Sequence, residues 1–314
     1  MAKRSTLQLG LLTLKGIAMG AADVVPGVSG GTIAFISGIY EELIDSINKI
    51  NLGALKLWKK EGFKAVWKHI NGTFFVFLFA GIAISIVSLA KIVSYLLTAH
   101  PVLIWSFFFG LIIASIWLIG KTITKWNPSV IGALIIGAAV AFYITTLQSV
   151  ASIDANWYVV LSGAIAICAM ILPGVSGAFI LLLLGSYDKV LGAISDRDFI
   201  IIGLFALGCA IGLLTFAKVL KYLFTRFKEI TIAILTGFMI GSLNKVWPWK
   251  LTKEFRINSH GESVPFIQEN VLPSSFDGDA QIAMSVLFLF VGFLVIFILE
   301  RFAPKEEKTE NTES

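Results

Sequence analysis

The residues best suited to chemistry lie in two short polar interruptions of apolar sequence, and the two interruptions are nearly identical. The first reads DVVPGVSGGTIAFISGIYEEL from Asp23 to Leu43, and the second reads MILPGVSGAFILLLLGSYDKV from Met170 to Val190. Glycine permits positive φ and close backbone approach, and a serine hydroxyl can lie beside the free amides of a helix start. Such amides and hydroxyls form an uncharged cradle that suits a phosphate oxyanion. The pattern therefore predicts two anion-binding turns.

The candidate binding residues are those of the two turns. They are Pro26, Gly27, Val28, Ser29, Gly30, Gly31 and Thr32 in the first copy, and Pro173, Gly174, Val175, Ser176 and Gly177 in the second. A structural role is the alternative, in which the glycines serve only to let helices pack closely.

Asp23 precedes the first turn by three residues, and its counterpart in the second copy is Met170. An ionisable side chain at membrane depth is costly and is a functional-site hypothesis by default. Asp23 is therefore a candidate for proton coupling. The alternative is a carboxylate that caps backbone amides or pairs with a lysine.

The composition explains why the turns are expected inside a membrane. The chain has 314 residues, of which 57% are hydrophobic and 14% charged, and its mean hydropathy is +0.86. Soluble domains carry about 25% charged residues. Apolar runs of about the length needed to cross a bilayer occur at 74–90, 102–120, 129–147, 199–217 and 282–299, with a weaker one at 230–247. The sequence predicts an all-α integral membrane protein.

Metal, disulfide and nucleic-acid chemistry find little support. The three histidines are scattered, and both cysteines lie within apolar segments, so we predict no metal, cofactor or disulfide. The net charge of +5 is distributed as membrane topology requires, so we predict no nucleic-acid partner.

Two blocks of the sequence recur. Residues 26–47 match 173–194 at nine of 22 positions, and residues 91–115 match 218–242 at seven of 25. Each half then contains a broken apolar segment followed by three spanning helices. We interpret each broken segment as a re-entrant helical hairpin whose arms reach the midplane. One kinked spanning helix is the alternative.

The repeat sets the predicted boundaries. Residues 1–148 form the first repeat, with a hairpin at 7–47, an amphipathic basic segment at 48–72 and three spanning helices. Residues 149–303 form the second, with a hairpin at 158–195, three spanning helices and an exterior loop at 248–281. Residues 304–314 form a charged cytoplasmic tail.

Hairpins place most of the 25 Lys and Arg residues on one side of the membrane. The positive-inside rule makes that side cytoplasmic, together with both termini. Three crossings per half is an odd number, so the two repeats must have inverted topology. Inverted repeats with broken helices that meet near the midplane are typical of secondary transporters.

At GAADVVPGVSGGTIAFISGIYEEL and LPGVSGAFILLLLGSYDKV the sequence resembles the bacterial polyprenyl-phosphate transporter family of PopT type, long described as a membrane domain of unknown function. The resemblance covers nearly the whole chain. It implies a non-enzymatic flippase in the bacterial cytoplasmic membrane. This flippase would move undecaprenyl phosphate from the outer to the cytoplasmic leaflet for reuse in cell-wall synthesis. The expected partners are undecaprenyl phosphate, membrane lipids and protons as a candidate coupling ion, and a homo-oligomer is compatible with the sequence.

Two other functions stay open. The anion cradle alone also suits a transporter of a small soluble anion. A membrane polyprenyl-lipid phosphatase would need a nucleophile or base with cationic help. No His, Arg or Lys adjoins either turn in the sequence, which disfavours the phosphatase.

Overall fold

The computed structural model describes residues 4–23, 28–147, 153, 155–257 and 263–301, and these ranges contain fifteen α-helices and one small sheet. The first-half helices are α1 Thr6–Asp23, α2 Gly30–Ile36, α3 Tyr40–Asn48, α4 Leu52–Glu61, α5 Phe63–His69, α6 Gly72–Ser88, α7 Ala90–Ala99, α8 Pro101–Gly120 and α9 Pro128–Thr146. The second-half elements are α10 Asn156–Ile171, α11 Gly177–Leu183, α12 Tyr187–Asp196, α13 Phe199–Arg226, α14 Lys228–Ser242, β1 Lys250–Ile257, β2 Ser263–Asn270, a 3₁₀ turn Pro273–Ser275 and α15 Ile282–Arg301.

Three described helices, α8, α9 and α13, are long and apolar enough to cross a membrane alone. Two bent pairs would each reach that length together, α5 with α6 at 69° and α11 with α12 at 107°. Helix α10 and the described apolar part of α15 are shorter. The chain is thus a multi-pass helical membrane protein, as its composition predicted.

Polar caps and prolines set where the long helices begin. Asn127 accepts a hydrogen bond from the Val130 amide, and Pro128 follows it at the first position of α9. Asp198 accepts from the amides of Ile200 and Ile201 at the start of α13. These caps satisfy amides that hydrocarbon could not.

The helices of the two halves pack in the same order. Helix α1 packs along α6 as α10 packs along α13, and α8 packs along α15 as α14 packs along α9. Gly16 and Gly81 lie at the α1–α6 contact, and Gly163 and Gly208 lie at the α10–α13 contact. Gly163 follows Gly16 by 147 residues and Gly208 follows Gly81 by 127 residues, which are the offsets of the two sequence blocks.

Glycines also bring the later helices together. A Cβ on Gly110 of α8 would overlap the Leu289 carbonyl of α15, and one on Gly237 of α14 would overlap the Leu134 carbonyl of α9. Helices whose backbones approach this closely gain van der Waals contact, which drives packing within a bilayer. The two sequence blocks do not extend to α9 and α15, which the predicted repeat contains only as the third spanning helix of each half.

Helix α2 lies at the centre of this packing. It contacts α1, α3, α8, α10 and α15, so both halves surround it. Its side chains of Ile33 and Ala34 are buried in the same core as Ile112 of α8 and Met239 of α14. The first predicted turn therefore begins a helix enclosed by protein.

The returning arm of each predicted hairpin is broken. In the first half it consists of α2 and α3, and in the second of α11 and α12. The breaks lie at Gly38 and Gly185, which are equivalent positions with φ of 72° and 63°. Only glycine adopts such a φ without strain, so their identity in both copies could have predicted the breaks.

The loop at 248–281 contains a small sheet, which corrects the all-α prediction. Within it β1 pairs antiparallel with β2, with Lys250 opposite Asn270 and Phe255 opposite Pro265. Residues 258–262 and the tail at 302–314 lie outside the described residues. The basic segment at 48–72 forms α4 and α5, whose five lysines are exposed.

Candidate functional site

The two predicted turns touch each other. The Ser29 hydroxyl donates to the Met170 carbonyl at 2.9 Å, and the Gly174 amide donates to the Thr32 hydroxyl at 3.0 Å. All four groups come from the segments that interrupt the apolar sequence, although 141 and 142 residues separate the partners. The fold thus brings most candidate residues to one place.

Ser29 and Ser176 have the same local role. Each has an extended backbone and lies at the N-cap of the returning helix, α2 or α11. Ser29 accepts from the Gly31 amide at 3.0 Å, and Ser176 accepts from the Phe179 amide at 3.4 Å. The hydroxyls therefore already satisfy helix-start amides in this conformation.

The glycines of the turns also serve the packing. A Cβ on Gly31 would overlap the Ile171 carbonyl, so the two hairpins meet backbone to backbone. Gly174 has φ of 82°, and a Cβ there would lie 2.8 Å from the Phe238 carbonyl. Val28 and Val175 are buried beside them. The close-packing role left open by the sequence is thus present at these two glycines.

Asp23 caps helix α2. Its Oδ1 accepts a hydrogen bond from the Gly30 amide at 2.7 Å, and a Cβ on Gly30 would lie 2.5 Å from its Oδ2. This is the capping role that the sequence left open. Pro26 and Gly27, with Val24 and Val25, lie outside the described residues, so the tip of the first turn is not described.

Lys15 holds the other end of α2. Its buried Nζ donates to the Ser37 carbonyl at 2.6 Å. Helix α1 therefore presents a carboxylate to the N-terminus of α2 and an ammonium to its C-terminus, which are the favourable ends for each charge.

The second half replaces these charges with neutral groups. Tyr158 donates its hydroxyl to the Leu184 carbonyl at 2.8 Å, and Leu184 is the repeat equivalent of Ser37. Ser162, the equivalent of Lys15, shares a hydrogen bond of 2.8 Å with Ser186. With Met170 in the place of Asp23, the ionisable clamp belongs to the first hairpin alone.

A lysine that sequence analysis did not identify as a site residue lies next to the second turn. The Lys245 Nζ is 4.3 Å from the ring centroid of Phe179, in the first turn of α11. This corrects the statement that no cationic residue adjoins either turn. No linear signal could have found Lys245, because it lies on a different helix end far along the chain. Among the described residues, no group of three His, Cys, Asp or Glu side chains could hold a metal ion.

The fold and site define a multi-pass helical membrane protein with two interrupted hairpins in contact, an architecture typical of secondary transporters. Residues 19–264 match the family model described as VCA0040-like, undecaprenyl phosphate translocase-like. The chain belongs to this family.

Two relatives extend the comparison. A polyprenyl-phosphate transporter of Vibrio cholerae serotype O1 is 49% identical over 296 residues, which cover 93% of this chain and 96% of the relative. A polyprenyl-phosphate transporter of Staphylococcus aureus is 33% identical over 255 residues, which cover 75% and 85%. No solved structure gives a significant match.

Replacing Thr32 by Val should destabilise the contact between the hairpins. Valine keeps the shape but leaves the buried Gly174 amide without its acceptor, at a cost of about 1–3 kcal/mol. We expect a lower thermal unfolding midpoint of the purified protein in detergent. The control is Thr225→Val on the exposed face of α13, where the hydroxyl bonds only its own helix. Equal midpoints for the two variants would contradict a stabilising contact.

Proposed function

We propose that this protein moves a polyprenyl phosphate, undecaprenyl phosphate in particular, from the outer to the cytoplasmic leaflet of the bacterial cytoplasmic membrane. The observation that carries the proposal is the 49% identity, over nearly both full lengths, to a protein named polyprenyl-phosphate transporter. The returned lipid carrier would be reused in cell-envelope synthesis. An isoprenoid tail can stay in lipid throughout, so the protein has to provide a polar path for the phosphate alone.

The phosphate site in this proposal is the pair of turns. The turns at 26–32 and 173–177 would bind the phosphate oxygens as the anion crosses the midplane, through the hydroxyls of Ser29, Thr32 and Ser176 and the backbone amides of the residues other than proline. The contact of Ser29 with Met170 and of Thr32 with Gly174 supports one shared site over two separate ones. Several of these donors are engaged within the protein, so binding would require the turns to separate.

Inverted topology of the two halves belongs to the same proposal. The matched packing of α1 on α6 and α10 on α13, with glycines at equivalent positions, supports a structural repeat. With three crossings per half, the first hairpin would enter from the cytoplasm and the second from outside. Alternating access to the two faces of the membrane would then use the equivalent hairpins of the two halves.

Cysteine accessibility tests this topology. Lys56→Cys on α4 and Ser274→Cys on the 3₁₀ turn are exposed positions, made in a background with Cys168 and Cys209 replaced by Ser. We expect a membrane-impermeant maleimide to label residue 274 in intact spheroplasts, and residue 56 only after the membrane is opened. Labelling of both positions in intact spheroplasts would contradict the proposed orientation.

Reconstitution tests transport directly. In liposomes that contain the purified chain and a fluorescent polyprenyl phosphate, an external quencher should reach the label of both leaflets. In protein-free liposomes it should reach only the label of the outer leaflet. Released phosphate and uptake of radioactive inorganic phosphate should both stay at the protein-free level. Phosphate release would support the phosphatase instead, and uptake of inorganic phosphate would support the soluble-anion transporter.

Asp23 would couple this transport to protons. Its carboxylate now accepts from the Gly30 amide, a donor that the phosphate would need. Two anions cannot share that amide, so phosphate binding requires the carboxylate to leave or to lose its charge. Protonation would do both, because a neutral carboxyl is a weaker acceptor and no longer repels phosphate. Deprotonation on the cytoplasmic side would then favour release.

Asp23→Asn separates the cap from the charge. The Asn oxygen can still accept from the Gly30 amide, so the fold should be retained while titration is lost. We expect the variant to bind a polyprenyl phosphate in detergent, to transport it more slowly, and to lose the response to a pH gradient imposed across liposomes. Asp277→Asn on the exposed loop is the control. If the Asp23→Asn variant follows the gradient as the parent does, Asp23 is a cap only.

A further inference from the structure

Two lysines lie near each other in the segment that leads from α14 into β1. Lys245 follows α14, and Lys250 begins β1. The Lys250 Nζ donates to the Lys245 carbonyl at 2.7 Å, which holds the two residues together. Among the described residues, no carboxylate forms an ion pair with either ammonium group.

Each ammonium group lies over an aromatic ring. Lys245 lies over Phe179 of α11, and Lys250 lies 3.6 Å from the ring centroid of Trp105 on α8. Burial, and then the nearby Lys245 ammonium, lower the pKa of Lys250 well below its usual value. Rings offset only part of the cost of desolvating an ammonium, and two such groups together repel each other. An anion would relieve both costs.

An apolar cavity of about 160 Å³ is lined in part by Trp247, Pro248 and Trp249, which belong to the segment that joins Lys245 to Lys250. Its lining includes Ser106 and Trp249, the neighbours of Trp105 and Lys250. Phe109 and Trp247 also line it, and the centroids of their rings are 5.5 Å apart. A free inorganic anion would make no use of this cavity, whereas a lipid with an anionic headgroup could place apolar carbons there.

We infer that Lys245 and Lys250 form a docking site for the phosphate monoester headgroup of a lipid, next to the second turn and on the side of the β1–β2 hairpin. This inference rests on the proposed function, because that function makes this side the outer one and the phosphate lipid the cargo. The site would capture the headgroup beside Phe179 before the turn receives it. It differs from the turns in supplying formal positive charge.

Binding to the purified full chain in detergent tests the site, with farnesyl phosphate as the short lipid probe. Lys245→Gln and Lys250→Gln should each weaken binding by about tenfold or more, because each removes a charge-assisted contact. Lys245→Arg keeps the charge and should bind within a few-fold of the parent. The matched control is Lys253→Gln on the same strand, where the lysine is exposed and paired with Glu269 at 3.1 Å.

Ligand-free unfolding midpoints show whether a loss of binding reflects a loss of fold. Neither lysine forms an ion pair with an acidic side chain in the described part of the chain, so the Lys245→Gln midpoint should equal or exceed that of the parent. If Lys245→Gln and Lys250→Gln bind as the parent does, the docking site is wrong while the proposed function stands. Absence of farnesyl phosphate binding by the parent would overturn both. Equal affinity of the parent for inorganic phosphate would overturn the lipid assignment, and farnesol binding as tight as that of farnesyl phosphate would overturn the role of the headgroup.

Discussion

Interrupted backbone inside a membrane must find its hydrogen bonds within the protein, and this requirement governs the centre of the molecule. Each turn meets the requirement partly through the other. Ser29 donates to the Met170 carbonyl, and Thr32 accepts from the Gly174 amide. Because each hairpin satisfies groups of its partner, a conformational change of one turn would break hydrogen bonds of the other. A rearrangement that opened one turn would expose polar groups of both, which is what the proposed phosphate binding requires.

Close helix packing is what allows this meeting. Glycines at equivalent positions of the two halves bring α1 against α6 and α10 against α13. They fix each hairpin's first arm against a long helix, so the turns are presented at defined positions. Gly31 then brings α2 up to the Ile171 carbonyl of the opposite hairpin. Gly174 has both roles that glycine can have in the motif, since its φ of 82° permits the turn and its missing Cβ allows the Phe238 carbonyl of α14 to approach, whereas Gly31 serves the close approach.

The sequence predicted much of this arrangement because the relevant signals are local or repeated. Pro173 and Gly174 within an apolar run predicted a break, and the recurrence of their motif predicted a second one. The repeat also predicted that the broken helices would meet. The hydrogen bonds between them and the position of Lys245 depend on tertiary packing, which no local pattern encodes. The β1–β2 hairpin was also missed, because its segment mixes charged, polar and apolar residues without regular alternation. Whether the turns bind phosphate stays a prediction.

The charges around the hairpins are distributed in opposite ways. The first hairpin is clamped by Asp23 and Lys15 at the two ends of α2, whereas the second uses Tyr158, Ser162 and Met170. Near the second turn, the ammonium of Lys245 lies over the ring of Phe179 in α11. One turn therefore faces a fixed carboxylate and the other a fixed cation. An anion passing between them would be attracted at one turn and repelled at the other unless Asp23 is protonated, and in the proposed transport this difference would distinguish the two directions of movement.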